Sequence, residues 1–92
     1  MMPIDFEKVE SLRKHMLLTA SDISSILGVS RMTYYGWVKG KPIRRNNDMS
    51  VRLALKKLLA IMSEHQWPQP SIIGLPQKQR MQRLLELLET YN

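Results

Sequence analysis

The 92-residue chain predicts an all-α fold of five helices. Three observations carry this. Apolar residues recur at spacings of three and four along most of the length, the period of a half-buried helix, and no alternating strand pattern runs beyond a few residues. Glycine and proline fall between these segments, at Gly28, Gly40, Pro42, Pro68, Pro70 and Pro76. Residues able to cap a helix start, Asp5, Thr19 and Ser30, stand just ahead of the periodic runs.

The first helix is expected over about residues 6–16, capped by Asp5, with Phe6, Val9, Leu12 and Met16 as its inward stripe. Thr19 caps the second helix, and Asp22 three residues later can return the bond to the cap's own N–H. Ile23 and Leu27 share one face of that helix, and Ser24 is small enough for a close helix crossing. Gly28 ends it, because a left-handed residue is cheap only without a Cβ. Val29 can plug the corner, and Ser30 caps a third helix over about residues 31–39. Tyr34 and Trp37, three apart, turn inward. Gly40 ends this helix and Pro42 prevents its continuation.

Residues 44–47, RRNN, read as a polar loop, with Asn47 or Asp48 capping a fourth helix that runs to about Glu64. Its inward positions are Val51, Ala54, Leu55, Leu58 and Met62; Arg52, Lys56 and Lys57 lie on its polar side. Residues 65–76 break the pattern and read as a linker, apolar enough to pack through Trp67 and Ile72 or Ile73. Pro76 can open a last amphipathic helix. Its stripe, Met81, Leu84, Leu85, Leu88 and Tyr91, widened by Leu87, is expected to hold a second copy of the chain. Folding back onto the core is the competing use. The expected organisation is residues 1–64 as the main domain, 65–76 as linker and 77–92 as a dimerisation helix.

With Tyr34 and Trp37 inward, Arg31, Met32, Tyr35, Gly36 and Lys39 face outward. Two short helices with a three-residue turn, the second exposing such a face, form the pattern of a DNA-reading helix-turn-helix. There the N-terminal residues of the second helix meet base edges in the major groove. Arg31 matches the two acceptors of guanine, and Met32 suits a thymine methyl.

These residues also resemble a family. LGVSR at 27–31, TYYGW at 33–37 and KGK at 39–41 are similar to the phage repressor and Cro-type helix-turn-helix family, the xenobiotic response element class, over about residues 6–64. The resemblance implies a compact helical domain, usually dimeric, that represses transcription. It places Arg31, Met32 and Gly36 at base-reading positions, and Thr19 with the 39–41 run at phosphate-contacting ones. The chain departs from the pattern at Tyr34, usually aliphatic, at Ser24, usually alanine, and at Gly36, where a reading side chain is usual.

Charge placement agrees with this. The net charge is +6. Residues 31–57 hold eight basic residues (Arg31, Lys39, Lys41, Arg44, Arg45, Arg52, Lys56, Lys57) against Asp48 alone, a net +7, and the rest of the chain is slightly acidic. A cluster of this kind is an electrostatic footprint for phosphate. The expected base contacts are Arg31, Met32, Tyr35 and Gly36. The expected phosphate contacts are Thr19, Ser30, Lys39, Lys41, Arg44, Arg45 and Arg52. The partner is duplex DNA, bound by a homodimer at an inverted repeat. A helix-turn-helix adaptor for an acidic protein, or a DNA-binding antitoxin whose last helix grips a toxin, would share the scaffold.

Other chemistry finds no support in the residues. There is no cysteine, and His15 and His65 stand apart from any ligand-spaced cluster. No phosphate-cradling glycine loop or nucleophile motif occurs. The seven methionines read as core filler. A stacking platform for single strands would need more than Tyr35 free. No enzyme, metal or cofactor is expected. The apolar run at 58–62 is far too short to span a bilayer and the start lacks a signal-peptide pattern, so a cytoplasmic protein is expected.

Overall fold

In the computed structural model, which describes residues 2–91, six helices and no strand occur among the described residues. They are α1 (Phe6–His15), α2 (Ala20–Leu27), α3 (Arg31–Val38), α4 (Arg45–Glu64), α5 (Pro70–Ile73) and α6 (Gln77–Glu89). α2 packs on α3 and α4, α1 packs on α3, and α6 packs on α4. The core draws on every element, from Phe6, Val9 and Met16 through Ile23, Leu27, Tyr34 and Trp37 to Val51, Leu58, Ile61, Trp67, Ile72 and Leu84.

The first three helix starts follow their caps. Asp5 accepts from the backbone N–H of Glu7 at 3.0 Å. Thr19 and Asp22 form a reciprocal capping box, at 3.0 and 2.9 Å. Ser30 accepts from Thr33 N–H at 3.1 Å. Their ends share one device. Each of α1, α2 and α3 closes with a six-to-one bond, Leu18 N–H to Arg13 O, Val29 N–H to Ser24 O and Lys41 N–H to Gly36 O. The left-handed residue this closure needs is glycine at Gly28 (φ 77°) and Gly40 (φ 107°), but Leu17 (φ 62°) after α1. A leucine there is strained. The buried residues on either side, Met16 and Leu18, hold it in place.

Two sequence expectations are corrected. α4 begins at Arg45, so residues 45–47 form its first turn and are not a loop. Neither Asn47 nor Asp48 is the cap; Arg44 holds that place without a side-chain bond. A cap contributes only about 1 kcal/mol, and here Ile43, packed against the core, sets where the chain enters. The 65–76 segment is no plain linker. It packs as anticipated through Trp67 and Ile72, with Ile73 left outside, but it contains α5, with Pro70 in the first turn. The described residues therefore form six helices in place of five.

On α6 the apolar stripe folds back onto the chain's own core. Leu84 is fully buried in the chain's own core, and Met81, Leu87, Leu88 and Tyr91 pack against that core; Leu85 is 45% exposed. Polar bonds tie down the start of the helix and the residues just after its end. The Gln77 amide donates to the Asp22 carboxylate of the α2 capping box, and the Tyr91 hydroxyl donates to Glu64. Leu84 thus belongs to the chain's own interior, which is the competing use of this stripe. An apolar stripe needs a cover, and the nearby wall of α4 supplies it at lower entropic cost than a second molecule.

Candidate functional site

α3 is held from inside by its two aromatic residues. Tyr34 has no exposed surface and Trp37 retains 5%. The Trp37 ring lies 5.2 Å from that of Phe6 on α1. The Tyr34 hydroxyl donates to Glu10 Oε1 at 2.6 Å. Arg13 grips the same carboxylate with two nitrogens, at 2.6 and 2.9 Å, and donates to the Leu18 carbonyl at 2.9 Å. A polar chain therefore fixes the angle of α3 against α1. Sequence reasoning missed Glu10 and Arg13. Their one signal was an acid and a base three apart on a helix, a spacing common on solvated faces.

The Arg13 bonds hold the Glu10 carboxyl down to about 2 from its ordinary 4.5. Burial, and then the bond to Glu10, push the Tyr34 hydroxyl up. A carboxyl lowered on folding adds stability that is complete above its unfolded value and is lost as pH falls toward the folded one. Glu10→Gln is accordingly expected to cost about 1–3 kcal/mol near neutral pH. The gap in unfolding midpoint between wild type and variant should shrink as pH drops from about 4.5 to about 2. A gap that stays constant through that window would remove Glu10 from the clamp.

With the aromatic pair locked inward, the opposite face of α3 stands clear. Met32 is 84% exposed and Tyr35 is 44% exposed. Arg31, Met32, Tyr35, Gly36, Lys39 and Lys41 line one open depression of about 750 Å³. A second, of about 430 Å³, adjoins it and brings Arg44 and Asn47 beside Met32, Gly36 and Lys41. The residues expected at base edges are thus together, with Lys39, Lys41 and Arg44 around them. Arg45 is exposed in the first turn of α4.

The remaining expected residues are differently placed. Thr19 is exposed, with its hydroxyl accepting in the capping box. The Ser30 hydroxyl both accepts from Thr33 N–H and donates to the Thr33 hydroxyl at 3.0 Å. Arg52 pairs with Asp48 at 2.5 Å and donates to the Met2 carbonyl at 2.5 Å, which turns it toward the start of the chain. Among the described residues no three acidic, histidine or cysteine side chains gather where they could hold a metal, and no helix is long and apolar enough to cross a membrane.

The electrostatics of this face point to an anion. Arg44 and Arg45 sit at the start of α4, where the helix dipole already places partial positive charge. Cations there oppose helix stability by about 0.3–1 kcal/mol each. An anionic ligand reverses that sign. No family model, curated protein or solved structure matches the chain.

Proposed function

We propose that this protein is a sequence-specific duplex DNA-binding regulator of the helix-turn-helix repressor type, with α2 and α3 as the reading pair. The observation that carries the reading is the exposed face of α3, where Arg31, Met32, Tyr35 and Lys39 share one surface edged by Lys41 and Arg44. α3 would enter the major groove. Arg31 and Met32 would specify bases, and the lysines with Arg44 and Arg45 would hold phosphates. A two-fold pair of such domains would meet successive major grooves, with half-site centres about 10–10.5 base pairs apart. Because Leu84 is internal, the two copies would meet through the groove of Ile26, Leu53, Leu85 and Leu88 between α2, α4 and α6.

The test is binding to random duplex DNA across a salt series. The expected result is weak binding that falls steeply with salt, and a slope reduced by about one to two units when Arg44→Ala and Arg45→Ala are combined. An adaptor for an acidic protein would bind random duplex little at any salt, and that outcome rejects the DNA reading. An unchanged slope in the double variant removes the α4 start from the interface.

A further inference from the structure

Gly36 looks like a lost reading position, because a helix face that reads bases carries no side chain there. The structure puts another residue in its place. A Cβ built on Gly36 would lie 3.1 Å from Cδ of Lys41 and 3.8 Å from its Cγ. The methylene stem of Lys41 therefore lies across α3 at residue 36. The backbone holds it there: Lys41 N–H donates to the Gly36 carbonyl at 2.9 Å, in the closure that Gly40 makes possible with its left-handed φ of 107°. Gly36, Lys41 and Met32 line both depressions of the face, so the lysine lies where the two adjoin.

We propose that Lys41 is a specificity-determining residue, carried onto the reading face by Gly36, and that its ammonium takes the acceptor edge of a guanine. The inference rests on the DNA reading above and reassigns Lys41 from the phosphate-contacting group to the base-contacting one. Four methylenes let a lysine from the following loop reach where a residue at 36 would have pointed. Its ammonium can approach O6 and N7 of guanine together. A methyl at residue 36 would press on the stem, which must give by a few tenths of an ångström, and a larger side chain would shift the charge further from that edge. Gly36 acts through Lys41 and is a positioning residue. The helical cost of a glycine at this place, which alanine would not incur, then has a functional reason.

The test uses duplexes selected by the wild-type protein from a random pool, and a random duplex as reference. Lys41→Met keeps the stem and removes the charge. Gly36→Ala keeps the charge and disturbs its seat. Lys41→Met is expected to lose roughly 5- to 150-fold discrimination at a single base pair, and Gly36→Ala to lose a smaller part of the discrimination at that same base pair, with random-duplex affinity slightly reduced for either. In the free protein, magnetisation transfer between the Gly36 α-protons and the Lys41 side chain should be present. Equal weakening of selected and random duplexes by Lys41→Met overturns the assignment and leaves Lys41 a phosphate contact. An unaltered base preference in Gly36→Ala overturns the seat. Absence of salt-dependent duplex binding by the wild type is the separate failure of the DNA reading, and the proposal falls with it.

Discussion

Trp67→Ala is expected to lower stability by about 3–5 kcal/mol and the thermal midpoint by more than about 12 °C. Trp67 lies in the segment between α4 and α5, is only 2% exposed, and donates from its indole nitrogen to the Met16 carbonyl at 2.9 Å. Its loss leaves a cavity and an unpaired carbonyl at the end of α1, beside strained Leu17. A domain of this size commands about 5–15 kcal/mol in all, and there is no disulfide to add to it. Trp67→Phe is the intermediate case, since it retains a six-membered ring and loses the donor together with the five-membered half of the indole. It should cost about 1–3 kcal/mol. Calorimetry of the three proteins decides the matter. A midpoint drop of under about 5 °C for Trp67→Ala would mean that the 65–76 segment is not part of the cooperative core.

Leu84 and Leu85 are neighbours on α6 with opposite expected behaviour. Leu84 is fully buried, so Leu84→Ala should cost about 2–5 kcal/mol, and a charge there should prevent folding. Leu85 is 45% exposed and lines the groove with Leu53, itself 55% exposed. Leu53→Glu with Leu85→Glu should therefore preserve helix content. If the groove joins two copies, sedimentation at tens of micromolar should change from dimer to monomer, with loss of affinity for a full inverted repeat and not for a half-site. A wild-type protein that sediments as a monomer at that concentration, or a double variant that remains dimeric, rejects this groove as the seam. Circular dichroism on both pairs guards the comparison, because only the Leu84 variants should lose helix.

Features governed by neighbours in the chain are legible in the sequence alone. Asp5, Thr19 and Ser30 cap as their positions predict, and Gly28 and Gly40 take the left-handed conformations that end α2 and α3. Tyr34 and Trp37 point inward because a helix of fixed period leaves them no other face if Arg31, Met32, Tyr35 and Lys39 are to meet water. These are local matters: a cap needs a side chain within three residues, and a helix repeats every 3.6. The places where sequence and structure part lack such rules. Leu17 adopts a glycine-like φ because buried neighbours hold it, and α4 starts without a capping side chain because Ile43 anchors its entry.

The remainder was decided by distant parts of the chain. An apolar stripe on α6 states that something must cover it and does not state what; α4 lies within reach, so Leu84 became core. Glu10 and Arg13 have the spacing of a surface pair, but Tyr34, 24 residues beyond Glu10, brings its hydroxyl to their carboxylate. Lys41 lies in a loop by sequence, yet the close of α3 lays its stem over Gly36. Periodicity tells which side of a helix seeks burial. The partner on that side depends on chain closure and competing contacts summed over the whole molecule, and only the folded arrangement expresses that sum.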